Sequence, residues 1–237
     1  MNATELLNIT ELAEVGSTND WLAERDLPDA SWVCADEQTG GRGRRGRAWV
    51  TVPGNLFASV VTRPQPGEGP SQQLSFVAAV ALARALDRWV APDRLTIKWP
   101  NDVLLDGVKV AGILLEGVNG TTIIGFGVNL AGHPDTTERP ATSLAAAGIA
   151  APAVADVVTA LAVTFADVRS RWRDHLFATV RAEWLTRAAG IGARLEARIG
   201  QETVVGIFTG LADDGALLLT LPDARIRAIH AGEVFAL

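Results

Sequence analysis

The sequence predicts a mixed α/β domain, with a largely antiparallel sheet packed against helices, followed by a small all-β module. Three observations predict it. The dipeptides Asp106-Gly107 and Asn119-Gly120 separate apolar runs of strand length, the signature of an antiparallel meander. Residues 73–89 carry Leu74, Val77, Ala81, Leu82, Ala85, Leu86 and Trp89 at helical spacing. After Gly190-Ile191-Gly192 the helical pattern stops, and short strand-like segments run to Leu237.

In chain order, residues 8–15 read as a short strand. Ser17-Thr18-Asn19-Asp20 opens a helix, with Ser17 as the cap and Asp20 three residues on, as in a capping box. Residues 31–35 form an apolar strand, and residues 38–53, rich in glycine and arginine, form a long loop. A strand over 55–62 and a turn region over 64–70 lead into the helix. Strands follow at 94–99, 103–105, 108–116 and 121–130. Residues 153–189 are alanine-rich and helical, with a break expected near Asp174 where the periodicity weakens. Five strands, at 195–199, 203–211, 216–220, 226–229 and 233–236, with a turn at Asp214-Gly215, fit a small β-barrel. The expected division is therefore 1–190 and 191–237.

Composition narrows the function classes. With 48% hydrophobic and 20% charged residues over 237 positions, the chain is able to bury a core. No apolar run reaches the roughly 18 residues of a membrane span. The polar, acidic stretch from Met1 to Glu14 lacks the layout of a signal peptide. Cys34 is the only cysteine, which rules out an internal disulfide and fits a reducing cytoplasm. The net charge of −6 opposes general nucleic-acid affinity. Positive charge is concentrated locally, in Arg42, Arg44, Arg45 and Arg47, and the only two lysines, Lys98 and Lys109, lie in one short stretch. Two lysines in an arginine-rich chain suggest a site for a compact ammonium.

Four blocks carry chemistry. Gly41, Gly43 and Gly46 spell G-x-G-x-x-G, but no helix follows, so a dinucleotide fold is not implied. Glycines with interleaved arginines suit a flexible loop that holds carboxylate or phosphate oxygens; a solvated basic loop is the plainer reading. In Lys98-Trp99-Pro100-Asn101-Asp102, Pro100 fixes a turn from which Asn101 and Asp102 project, either as site residues or as turn formers. Lys109 alternates with apolar neighbours in Lys109-Val110-Ala111-Gly112-Ile113-Leu114, which sets its stem against the core or a pocket wall; there it needs a partner. In Gly125-Phe126-Gly127-Val128-Asn129 the glycines allow close approach of a ligand or another backbone, and Asn129 is a phosphate contact or a buried structural amide.

In order and spacing, these blocks, together with Ser17-Thr18-Asn19, Trp49 and Ala141-Thr142-Ser143-Leu144, resemble the biotin–protein ligases over essentially the whole chain. The resemblance implies a fold like that of class II aminoacyl-tRNA synthetases with an SH3-like C-terminal barrel. It implies activation of biotin by ATP to biotinyl-AMP, with Mg²⁺ accompanying the triphosphate and no tightly bound prosthetic group. Transfer would follow to a lysine of a biotin carboxyl carrier protein. Catalysis falls by this analogy to Lys109, Arg42, Arg44 and Asp102, the last as a possible aid to deprotonating the acceptor lysine. Ser17, Thr18, Asn19, Gln38, Gly41, Arg42, Gly43, Arg44, Lys109, Gly112 and Leu114 would hold biotin. Arg44, Arg47, Trp49, Lys98, Asn101, Lys109 and Asn129 would hold the nucleotide. No metal ligand is named. The absence of room for an N-terminal helix-turn-helix implies the monofunctional class: no specific DNA binding, no membrane, and a monomer or weak homodimer. The alternatives are a lipoate–protein ligase, which shares the chemistry, and a nucleic-acid-binding module built on Arg42 to Arg47.

Overall fold

The computed structural model describes residues 7–135 and 140–237. Seven strands form a sheet in the order β1-β2-β3-β7-β6-β5-β4. They are β1 (Ile9–Val15), β2 (Trp32–Gln38), β3 (Leu56–Thr62), β4 (Leu95–Lys98), β5 (Asp102–Leu105), β6 (Val108–Val118) and β7 (Thr121–Val128). Among the described residues only the β1–β2 pair is parallel; every other ladder of this sheet is antiparallel. Both predicted hairpin turns are present: Asp106, Gly107, Asn119 and Gly120 all take positive φ, as two-residue hairpin loops require.

One face of the sheet is covered by α2 (Leu74–Leu86) and α3 (Val154–Thr186). Helix α2 buries almost every residue, because alanines on its outward side seat α3 closely. The break expected near Asp174 does not occur, and α3 runs unbroken for 33 residues. Arg173 and Asp174 lie on the exposed face, where Asp174 accepts from Ser170, while Trp172 and Phe177 continue the buried stripe on the other side. The weakened periodicity marks a solvated face.

The short α1 (Thr18–Ala23) begins where expected, but the capping box is not made: Ser17 forms no side-chain cap bond. The Asp20 carboxylate is engaged by Arg42 instead.

Residues from Arg194 onward form a second, antiparallel sheet, ordered β11-β10-β9-β8-β12. Its strands are β8 (Arg194–Ile199), β9 (Glu202–Leu211), β10 (Leu217–Thr220), β11 (Ile226–Ile229) and β12 (Glu233–Ala236). Among the described residues no ladder joins β11 to β12, so the sheet is not closed by hydrogen bonds. Its apolar side merges with the core of the larger body. Phe208 of β9 meets Trp184 edge-on at 6.5 Å, and Trp184 meets Phe76 at 5.7 Å. The Asp214-Gly215 turn docks on that cluster. Gly215 has φ +91° and accepts the Trp99 indole N–H at 3.1 Å, and a side chain there would strike Phe76. Glycine is therefore required by the contact as well as by the turn.

Candidate active site

A cavity of about 470 Å³ opens between the larger sheet, the glycine–arginine loop and the start of β12. Its floor has few side chains. Gly112 on β6 pairs with Gly127 on β7, and Gly125 lies two residues before Gly127 on the same face. Each glycine makes room for a neighbour: a Cβ at Gly127 would lie 2.3 Å from the Trp49 indole, and one at Gly125 would lie 2.5 Å from Asn19 Oδ1. Trp49 thus lies in the groove left by adjacent glycines, and its buried indole nitrogen has no hydrogen-bond partner among the described residues.

Lys109 reaches this cavity because of a bulge. Simple alternation would put it on the face of Ala111 and Ile113. The β5–β6 register slips between Val103 and Leu104, so that Leu104 faces Lys109 and Val103 faces Ala111. The bulge turns Lys109 to the side of Gly112, the re-aiming that such irregularities produce. Its Nζ lies 2.7 Å from Asp102 Oδ1 and 5.5 Å over the Trp49 ring. Of the two walls open to it, Lys109 stands on the pocket wall, and its partner in this structure is Asp102.

At one end of the cavity, polar groups form a chain. The Thr18 backbone N–H donates to Gln38 Oε1 at 2.8 Å, and Thr18 Oγ1 lies 3.0 Å from the same oxygen. Ser59, fully buried on β3, donates to Asn19 Oδ1 at 2.6 Å and lies 2.7 Å from Thr18 Oγ1. Asn19 Nδ2 donates to Glu116 Oε2 at 2.6 Å. At the other end, Asn101 donates to the Ile113 carbonyl, and Asn129 donates to the Thr142 carbonyl at 3.0 Å while its Oδ1 lies 3.3 Å from Asn55 Nδ2. Lys98 lines this end too, with Nζ 5.8 Å from the Phe235 ring.

The loop arginines are engaged from three directions. Arg42 is bidentate to Asp20, at 2.6 Å twice, and reaches Glu116 at 3.0 Å. These carboxylates raise its pKa further. Arg44 lies over the cavity, 3.4 Å from Asn101 Oδ1 and 3.3 Å from the Gly232 carbonyl; burial lowers its pKa. Arg45 and Arg47 both pair with Glu233 of β12. Inside the loop, Arg44–Gly46 makes a tight turn in which Arg45 and Gly46 both take positive φ, and the Trp49 N–H donates to the Gly41 carbonyl at 2.9 Å.

Of the residues that the resemblance assigns to catalysis, biotin or the nucleotide, all but Gly41 line the cavity; Arg45 and Gly46 of the loop do not. Gly41 sits behind it, where a Cβ would meet Gln38 and the Trp49 carbonyl. Sequence reasoning missed Ser59, Glu116, Gly232 and Glu233. Glu116 stands in a predicted strand as a lone acid among apolar residues, which is a usable signal; Ser59 and Glu233 carry none. Cys34 is apart from the site, and burial pushes its thiol up to about 12.

A floor with few side chains, a rim of arginines and a lysine held beside an aspartate suit a small anionic molecule under a loop. The chain belongs to the biotin/lipoate A/B protein ligase family, which it matches over residues 12–131, and residues 190–237 match the biotin protein ligase C-terminal domain. It is 47% identical to a biotin–[acetyl-CoA-carboxylase] ligase of Paracoccus denitrificans, over 94% of this chain and 98% of that protein. It is 33% identical to the enzyme of the same name from Mycobacterium tuberculosis, over 94% of this chain and 86% of that one. Among solved structures it resembles the biotin protein ligase of Aquifex aeolicus in complex with biotin and ATP, with 25% identity and a TM-score of 0.86, over 97% of this chain and 99% of that one.

Proposed function

We propose that this chain is an ATP-dependent biotin ligase, which joins biotin to AMP and passes the biotinyl group to a lysine of a biotin carboxyl carrier protein. The observation that carries the reading is Lys109, turned into the cavity by a bulge and set between Trp49 and Asp102. Attack of the biotin carboxylate on the α-phosphorus forms an O–P bond and expels pyrophosphate. It brings two anions together, and an ammonium at that point neutralises both. Thr18, Asn19 and Gln38 offer the hydroxyl and amide groups that suit a ureido ring, and Arg44 stands over the adenylate. The nucleotide side falls to Arg47, Trp49, Lys98, Asn101 and Asn129, with the adenine near Trp49. Among the described residues no three His, Cys, Asp or Glu side chains cluster as a metal cage. The donors present fit an ion carried by the triphosphate itself; Asn101 and Asn129 would help hold it, and Mg²⁺ would supply charge neutralisation there. Asp102, close to Lys109, remains the candidate to take the proton of the acceptor lysine.

The test is pyrophosphate release with ATP, Mg²⁺ and either biotin or lipoate, with mass spectrometry of the acyl-adenylate. Biotinyl-AMP is expected. Release with lipoate but not with biotin sinks the reading in favour of the lipoate ligase.

In this reading residues 191–237 act on catalysis through the loop, since Gly232 and Glu233 hold three of its arginines. The net charge of −6 and the pairing of the loop arginines with carboxylates disfavour a nucleic-acid role. The reaction is placed in the cytoplasm, where ATP is available. Glycine content makes residues 38–49 a segment of low local stability. Biotin with ATP is expected to slow tryptic cleavage after Arg42, Arg44, Arg45 and Arg47, and Glu233→Ala to speed it. Equal cleavage in all three conditions counts against any ordering of the loop.

A further inference from the structure

We propose that Glu116 is a positioning residue that couples the biotin subsite to closure of the glycine–arginine loop, through a clamp around Arg42 that it shares with Asp20. The proposal rests on the biotin reading above. Three elements converge on one guanidinium: Arg42 from the loop, Glu116 from β6 and Asp20 from α1. Arg42 donates to both carboxylates with all three of its nitrogens, at 2.6–3.0 Å. Its own backbone bridges Ala48 across the loop, so whatever fixes Arg42 fixes both legs of the loop.

A single exposed ion pair contributes little. This one differs in geometry. Bidentate pairing on one side and a shared, forked carboxylate on the other leave the guanidinium one position. Glu116 then does a second thing. An ionised carboxylate only accepts hydrogen bonds, so Asn19 must turn its Nδ2 toward Glu116 and its Oδ1 toward Ser59. The same side chain thus sets the orientation of an amide in the biotin subsite and the seat of the loop that covers it. The Asp20 carboxylate bonds to Arg42, whereas the Asn19 amide bonds to Glu116 and Ser59, which lets the two effects be separated.

The experiment uses the full chain with biotin, ATP and Mg²⁺. It measures the biotin KM, the rate of pyrophosphate release, and the rate at which biotinyl-AMP escapes through a filter. Loss of a charged hydrogen bond corresponds to about tenfold. Glu116→Gln is expected to raise the biotin KM and the escape rate by about that factor, with kcat changed far less. Asp20→Asn is expected to raise escape without raising the KM. Without any ligand, trypsin is expected to cut after Arg44 and Arg45 faster in both variants than in the native chain. A Glu116→Gln protein with KM and escape both within about twofold of native overturns the proposal. So does one that loses only kcat along with its melting temperature, which would make Glu116 structural. Because the unliganded cleavage involves no biotin chemistry, equal cleavage in all three proteins overturns the clamp alone, whereas a native chain that makes no biotinyl-AMP overturns the reading beneath it.

Discussion

Lys109→Ala is expected to lower the rate of pyrophosphate release by about a hundredfold, which corresponds to about 3 kcal/mol of transition-state stabilisation. The melting temperature should move little. The Lys109 side chain is partly exposed, and the Asp102 carboxylate it leaves behind can take up water from the open cavity. Lys109→Arg should fail nearly as badly. Gly112 lies against the lysine stem and Trp49 packs above it, so a broader, planar guanidinium has no room to place its charge at the same point. Asp102→Asn serves as the partner control, since it removes the paired charge while keeping the ammonium. A Lys109→Ala protein that releases pyrophosphate at near-native rate would make this a structural lysine, and the central argument for the site would fall with it.

The largest effect on stability should come from Arg169→Ala, far from the cavity. Arg169 rises from the middle of α3 into a buried knot. It donates to Glu68 at 2.7 Å, to both oxygens of Asp29 at 2.9 Å and to the Arg63 carbonyl at 2.8 Å. Its side chain is 9% exposed and that of Glu68 is 5% exposed, so water cannot replace the lost cation. Burial disfavours the charge on Arg169, but the hydrogen bonds it donates to Glu68 and Asp29 outweigh that and raise its pKa. Removing one partner of a buried pair costs about 3–5 kcal/mol, because the other is left charged in a dry place. Denaturant unfolding would read it, and a loss under about 1 kcal/mol would show that the knot behaves as a surface pair. Replacing Arg169 and Glu68 together with apolar residues should recover part of the loss.

Most of the fold was legible because its signals are local. The turns at Asp106-Gly107 and Asn119-Gly120 and the stripe from Leu74 to Leu86 are written in adjacent residues. The motif blocks around Arg42, Lys98, Lys109 and Gly127 were legible too, each as a compact run. What was not legible is what links the blocks. Glu233 reaches Arg45 and Arg47 from the far end of the chain, and Ser59 meets Asn19 across two elements. No periodicity reports such pairings. The same cause undid the capping box: Ser17 and Asp20 have the right spacing, but the competing partner, Arg42, lies beyond the local window. The bulge that aims Lys109 was hidden because it is a property of two strands in register.

The cavity is walled by Ser17 and Thr18 beside the larger sheet and by Glu233 and Val234 of the second, and the aromatic contacts among Phe76, Trp184 and Phe208 run without a gap from α2 through α3 to that second sheet. A pocket assembled from both parts exists only while both are folded. Ligand occupancy is therefore linked to global unfolding: each increment of bound ligand raises the midpoint of the entire transition, by mass action, and leaves no separately melting half. Affinity and conformational stability are, for this chain, two readings of one equilibrium.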